Sequence, residues 1–271
     1  MWHSKGMRIV VCVKYVPDAQ SNRRLVGGTL VRGEEDSLND LDENAIEAAV
    51  AACETHGGEV VALTMGPAGA KDAVMRALQM GADRAVQITD DRLAGTDVVG
   101  TAQVLAAAIR KLNDEAPVDL VITGSTSLDG MTSMLAGALG AELEWPSLTL
   151  ASTFAIEDDA VTISRYLDNF DDVLSAPYPV VVSITDEANQ PRTPGFKLML
   201  AAKKKPLDVW DLDALQIDDE PRYGSEGAGT QVMRAAEREE RRGEGQIIPD
   251  SGHGGEQLAE YLRSIQQVPE R

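Results

Sequence analysis

The sequence predicts an α/β fold built on a doubly wound, mostly parallel sheet. Three observations predict it. Short apolar runs recur along the first half of the chain, and stretches of helical periodicity separate them. The apolar fraction is also aliphatic: 43% of residues are hydrophobic and only 4% aromatic, so Ala, Val, Leu and Ile must fill the core, as they do where helices pack on a parallel sheet. With 271 residues, the chain is long enough for one such domain and an additional segment.

Residues 8–13 (RIVVCV) form the first apolar run, the pattern of a strand buried on both faces. Lys14, Tyr15, Val16, Pro17 and Asp18 follow as a loop, with Pro as the breaker. Residues 29–32 read as a small edge strand. The segment 37–44 (SLNDLDEN) leads into a helix that Asn39 or Asp42 can cap, and its early acids suit the helix dipole. Ala45, Ile46, Ala49 and Val50 supply its apolar face, and Gly57 and Gly58 end it. Residues 59–65 form a second strand. Gly66 and Pro67 then turn the chain into a helix over 68–80, which Gly81 closes. Residues 84–88 form a third strand, 96–112 a third helix and 118–123 a fourth strand. Gly124 opens a loop, and the next helix is expected near Thr132. Right-handed crossovers make this order a doubly wound sheet, and such sheets bind ligands at the carboxyl ends of their strands.

From Ser147 the pattern changes. Residues 160–165, 173–176 and 180–184 read as antiparallel or edge strands. Asn189, Pro191, Pro194 and Gly195 mark turns before an apolar stretch that ends at Lys203, Lys204 and Lys205, the basic run of this acidic chain. Beyond Leu215 the composition is polar and Gly-rich, though Leu258, Tyr261, Leu262 and Ile265 recur at helical spacing. Three regions follow: a nucleotide-binding α/β domain at 7–185, a partner-recognition loop and arm at 186–215, and an acidic C-terminal extension at 216–271 with a short helix.

The net charge is −19, from 44 acidic against 25 basic residues. So negative a surface repels phosphate backbones and argues against nucleic acid as a partner. The acids are spread along the chain, which favours general solvation in a salt-adapted (halophilic) host over steering toward one basic partner. Cys12 and Cys53 make neither a disulfide framework nor a metal site, so a reducing, cytoplasmic setting is expected. No apolar run reaches the ~18 residues of a membrane span, and the first residues carry no signal-peptide core. Residues 1–6 read as an alternative start or a cloning remnant.

The strongest local signal is the run from Gly124 to Met134 (GSTSLDGMTSM), small residues after a buried strand and before a helix. Small residues let backbone approach a phosphate, and a helix amino end offers free N–H groups; the same pattern also serves as an ordinary turn. It is neither a dinucleotide fingerprint nor a P-loop. Asn39 and Asp42 are read as helix caps or as contacts to a base or ribose. His3, His56 and His253 have no partner at ligand or triad spacing, Cys12 is read as packing, and no nucleophile–base pair appears; neither a catalytic residue nor a metal ligand is assigned. Phe196 is either a core plug for its loop or an exposed anchor for another protein.

These residues also resemble a family. Residues 13–18 (VKYVPD), 37–45 (SLNDLDENA), 64–67 (TMGP), 77–84 (ALQMGADR), Leu128-Asp129-Gly130 and Trp145-Pro146 are similar to segments of electron-transfer flavoprotein beta subunits, in the same order. Asn189-Gln190-Pro191-Arg192 through Ala202-Lys203-Lys204-Lys205 resembles that family's most specific stretch, and the likeness covers about residues 7–215. It implies a Rossmann-like sheet of the adenine-nucleotide alpha-hydrolase type. It implies FAD shared with, and held mainly by, an alpha subunit, and a structural AMP in this chain. By position the AMP falls to Cys12, Asn39, Asp40, Leu41, Asp42, Met65, Gly124, Ser125, Asp129, Gly130, Met131, Thr132, Ser133, Met134 and Leu135. Docking on flavin dehydrogenases of the acyl-CoA type falls to Phe196, Pro191, Arg192, Lys203, Lys204 and Lys205, with a quinone reductase as the electron acceptor and no turnover by this chain alone.

There are departures. The family's loop often reads Asp-Gly-Asp-Thr-Ala-Gln, whereas Met131 and Met134 stand here in place of its second Asp and its Gln. Asp91, Arg92, Gly95, Thr96 and Asp97 are similar to relatives that hold a second FAD in place of AMP and bifurcate electrons, although Val98 follows the Asp where they usually have Thr. Two rivals from other classes are a homodimeric nucleotide-binding stress or signalling module, which has no use for a docking loop, and an adenylating enzyme, which needs a Ser/Gly-rich loop where 14–18 (KYVPD) stands.

Overall fold

A computed structural model describes residues 6–18, 24–26, 29–33, 35–217, 220–235, 247 and 249–264; residues 1–5 and Ile265 fall outside this set. The first apolar run becomes β1 (Met7–Cys12), buried at every position. Its side chains alternate between two half-cores, Met7, Ile9 and Val11 on one face and Val10 and Cys12 on the other. The next residues do not stay a loop. Tyr15–Pro17 (β2) pairs antiparallel with Asp36–Leu38 (β5), and between them Leu25–Val26 (β3) pairs with Thr29–Leu30 (β4).

Helix α1 (Asp40–His56) carries Asp40, Asp42 and Glu43 in its first turn and ends at Gly57, whose φ of 76° suits a residue without a Cβ. Strand β6 (Gly58–Met65), helix α2 (Lys71–Met80) after a 3-10 turn at Ala68–Ala70, and strand β7 (Arg84–Ile88) follow. Helix α3 (Val98–Glu115) starts two residues later than expected, because the Asp97 carboxylate accepts from the Val99 and Gly100 amides and so caps it. Strand β8 (Leu120–Gly124) leads through a ten-residue loop to α4 (Leu135–Leu143), which begins beyond Thr132.

The chain then forms β9 (Ser147–Ala151) and a three-stranded antiparallel sheet of β10 (Thr153–Ile156), β11 (Ala160–Leu167) and β12 (Phe170–Pro177). Strand β13 (Val180–Ile184) corrects the expectation of an antiparallel or edge strand. It lies parallel between β8 and β9 and is buried at all five positions, as an unbroken apolar run buried on both faces should be. Helix α5 (Phe196–Ala202) and strand β14 (Leu207–Trp210) complete the sheet, β14 adding an edge beside β7 that the sequence pattern did not single out.

The main sheet has seven strands, all parallel, in the order β14, β7, β6, β1, β8, β13, β9. Helices α1 and α2 cover one face, α3 and α4 the other. This is the expected doubly wound α/β fold with a small antiparallel sheet attached. Strand order runs outward from β1 to β6 and β7, then α3 carries the chain back to β8 on the other side of β1. The reversal places a crevice at the carboxyl ends of β1 and β8.

The chain divides into two compact units, Met1–Ala235 and Ala236–Arg271. In the first, α6 (Leu212–Leu215) and α7 (Gly224–Gly227) belong to a segment that lies along α3. Gln103 donates to the Glu220 carbonyl and accepts from the Arg222 amide, and Thr230 donates to Asp97 through both its amide and its hydroxyl. The described part of the second unit holds α8 (Gly254–Ser264), where Leu258, Tyr261 and Leu262 share one face and none is buried.

Gly100 makes a test of this packing. Alanine normally strengthens a helix, but a Cβ at Gly100 would stand 2.1 Å from the Arg222 carbonyl oxygen. Gly100→Ala is therefore expected to destabilise the protein by about 1–3 kcal/mol in urea titration and to speed amide exchange at 222–230. Unchanged or increased stability would show that the segment does not press on α3.

Candidate functional site

The crevice at the strand reversal is organised by two buried polar side chains at the start of α1. Asn39 is fully buried. Its backbone amide donates to the Lys14 carbonyl, its side-chain amide donates to Asp42 Oδ1 and the Thr126 carbonyl, and its side-chain oxygen accepts from the Leu128 amide at 2.9 Å. Asp42 accepts from the Lys14 amide at 2.8 Å, from Asn39 and from the Gly124 amide. Neither side chain caps α1, contrary to the capping expectation. Both turn instead to the loops leaving β1 and β8, whose backbone groups would otherwise be buried without partners.

Burial pushes Asp42 up to about 7, against the opposing pull of its N–H donors and Lys14. Burial, with a further push from Asp42, raises the Cys12 thiol to about 12, which keeps it protonated within the core cluster it packs in. Gly124 lets the two elements meet: a Cβ there would stand 2.4 Å from Asp42 Oδ1 and 2.8 Å from the Leu41 carbonyl oxygen.

Beyond Gly124 the loop folds back on itself. Met131 donates to the Ser127 carbonyl, and Ser133 donates to the Thr126 hydroxyl. Met131 and Ser133 both take left-handed backbone angles, with φ of 48° and 51°. Met131 is 68% exposed, and Met134 is exposed as well. Asp129 points the other way. Its side chain is buried and meets both the Lys14 ammonium, at 2.8 Å, and the Arg32 guanidinium. Burial alone would raise its pKa, but the two cations hold it well below the usual carboxylate range.

Most of the nucleotide residues expected from sequence therefore share one locus: Cys12 ends β1, Met65 ends β6, Asn39 to Asp42 open α1, and Gly124 to Leu135 run from β8 to α4. Asp40 is exposed there, Leu41 half-buried, and Ser125 and Thr132 lie on the loop. Arg32 and the side chain of Lys14 were not singled out. Arg32 arrives from a segment read only as a small strand, and nothing in its neighbours announces the long-range pairing.

The second group separates. Arg192 binds Glu47 and Glu54 on α1, each at 2.7 Å, and Lys205 donates to the Leu78, Gly81 and Ala82 carbonyls at the end of α2. Asn44 and Asn189 bond to each other's backbone carbonyls. These contacts fasten 189–205 to the domain. Phe196, 73% exposed, is no core plug; it stands out with Met199 and Leu200 on α5, beside exposed Lys203 and Lys204.

No group of three or more His, Cys, Asp or Glu side chains is placed to hold a metal ion among the described residues. No helix among them is long and apolar enough to cross a membrane.

Comparison with known proteins bears on what this arrangement serves. The profile of the electron transfer flavoprotein domain matches residues 27–215. An electron transfer flavoprotein subunit beta from Mycobacterium leprae is 36% identical over 262 residues, covering 94% of this chain and 97% of the relative. The chain belongs to the electron transfer flavoprotein beta-subunit family. A second such subunit, from Clostridium acetobutylicum, is 32% identical over 89% of this chain and 92% of its own length. Protein FixA of Azorhizobium caulinodans is 35% identical over 84% of this chain and 83% of its own. Members of the family act in electron transfer, and its beta subunits pair with an alpha subunit.

The Asp42 carboxyl gives a pH test of the crevice. Its folded value, about 7, lies above the ordinary 3.8, so the folded state holds this proton more tightly than the unfolded state does. Its contribution is full below pH 3.8 and is lost as pH rises through about 7. The carboxyl carbon resonance of Asp42 is expected to titrate near neutrality; a midpoint at its ordinary value of 3.8 would show that its donors fully offset burial.

Proposed function

We propose that this chain is the nucleotide-holding beta subunit of a heterodimeric electron transfer flavoprotein. FAD is held mainly by the alpha subunit and supplies the electron chemistry. AMP lies in the crevice between Cys12, Asn39 to Asp42, Met65 and the loop from Gly124 to Leu135. Electrons come from acyl-CoA-type flavin dehydrogenases and go on to a quinone reductase. The chain contributes position and electrostatics and has no turnover alone.

The observation that carries this reading is the junction of β8 with α1. Its missing Cβ at Gly124 and its buried Asn39 and Asp42 build a close-packed mouth at the strand reversal, the place where doubly wound sheets take nucleotides. The amino end of α4 opens onto the same loop, with neither a capping side chain nor an acidic residue in its first turn. The fit to a nucleotide phosphate is therefore good. The alternative of a second FAD finds less support at Asp97, whose carboxylate is occupied by the Val99, Gly100 and Thr230 donors.

Phe196 is proposed as the anchor on the dehydrogenase, with Pro191, Lys203 and Lys204 around it. Arg192 and Lys205 support that surface by fastening its ends to α1 and α2.

Co-expression with the alpha subunit, purification and chromatography of the extracted nucleotides test the proposal. One FAD and one AMP per heterodimer are expected. Two FAD would move the chain to the bifurcating class, and a flavin-free homodimer would overturn both. Phe196→Ala is expected to raise the KM for the dehydrogenase about tenfold or more while leaving flavin content unchanged. An unaltered KM would remove Phe196 from the docking surface.

A further inference from the structure

Cations in this chain commonly meet more than one acid. Arg8 faces Glu59 and Glu115, Arg84 faces Glu115 and Asp208, Arg92 faces Asp90 and Asp213, and Arg192 faces Glu47 and Glu54. That is the pattern to expect with 44 acidic residues against 25 Lys and Arg. Glu115 is shared by Arg8 and Arg84, but each of these has a second acid; at Asp129 one carboxylate meets both Lys14 and Arg32, and among the described residues neither cation has a second ion-pair partner. Asp42 also lies near Lys14, but it is buried behind the strand end and bonds the backbone amide of Lys14. Among the described residues the Asp129 cluster thus holds two cations on one carboxylate, at the mouth of the crevice, in a chain of net charge −19.

Geometry keeps both cations available. The side chains of Lys14 and Arg32 are 42% and 36% exposed, whereas that of Asp129 is 1% exposed. Among the described residues the Lys14 ammonium donates to Asp129 and Ser127, and Arg32 to Asp129 and the Tyr15 carbonyl. Both therefore retain N–H donors for a further acceptor. Gly130 leaves the approach open: a Cβ there would meet Ser127 Oγ at 3.2 Å and come within 3.9 Å of Lys14 Nζ.

We infer that Lys14 and Arg32 form a two-pronged clamp for the phosphate of the bound mononucleotide, with Asp129 as the positioning residue that holds both prongs. The inference rests on the nucleotide reading above and assigns that site its charged contacts. An ammonium and a planar guanidinium fixed on one carboxylate are ordered before the anion arrives, so little side-chain freedom is lost on binding. Their charge-assisted bonds act where the net negative field of the protein would otherwise repel a phosphate.

The alpha–beta complex, stripped of nucleotide and titrated by calorimetry with AMP and with adenosine, tests the clamp. Lys14→Met and Arg32→Met are each expected to weaken AMP binding about tenfold or more and to leave adenosine within about twofold, with Arg32→Lys recovering part of the loss. Equal losses for AMP and adenosine would mean that the two side chains only shape the loop. Unchanged AMP affinity would mean that they do not reach the phosphate. Either result overturns the clamp and leaves the nucleotide site standing, whereas a wild-type complex that takes neither compound overturns the site and the clamp together.

Discussion

At Gly124 the end of β8 comes so close to the first turn of α1 that an added Cβ would stand 2.4 Å from a buried oxygen of Asp42. That approach has a polar consequence. The loops leaving β1 and β8 start at the carboxyl ends of central strands with backbone donors and acceptors that the strands no longer satisfy, and Asn39 and Asp42 supply partners. Two side chains that a helix would ordinarily use as caps are turned outward to join three segments. These bonds hold the loop at Thr126 and Leu128, and further along Met131 and Ser133 take left-handed angles.

The same junction sits where strand order reverses, so the fold's natural crevice and its most constrained polar contacts coincide. The electrostatics follow from burial. Asp42 lies deep among amide donors and is raised toward neutrality, while Asp129, a few residues along the loop, is held low by two cations. One carboxylate braces backbone and the other gathers positive charge. A crevice with hydrogen-bonded walls and two cations on one carboxylate suits an anionic ligand better than an acid-rich surface does.

The segment after β13 shows how a projecting surface is held. Arg192 and Lys205 look from sequence like contacts for another protein, yet one bridges two glutamates of α1 and the other covers the carbonyl end of α2. Fastened near both ends, the segment presents Phe196, Met199 and Leu200 outward on a short helix. The basic run thus divides by position: Lys203 and Lys204 remain on the surface, and Lys205 is part of the frame.

Much of this protein is determined by the sequence itself. Aliphatic runs at strand length, glycines at helix ends and a small-residue loop after the fourth run specify a parallel sheet and mark one of its loops, because hydrophobic period and turn chemistry are local properties. The motifs from residue 13 to 205 carry the family likeness for the same reason. Only the tertiary structure decided which way Asn39 and Asp42 point, since a cap and a loop staple have the same residues at the same spacing. Only it could seat the run 180–184 in the middle of the sheet, because strand neighbours are set by packing across the whole domain. The meeting of Lys14, Arg32 and Asp129, which joins residues 115 and 97 positions apart, leaves no trace in local pattern. Long-range charge pairing depends on the folded path of the chain, and the folded path alone put those three side chains together.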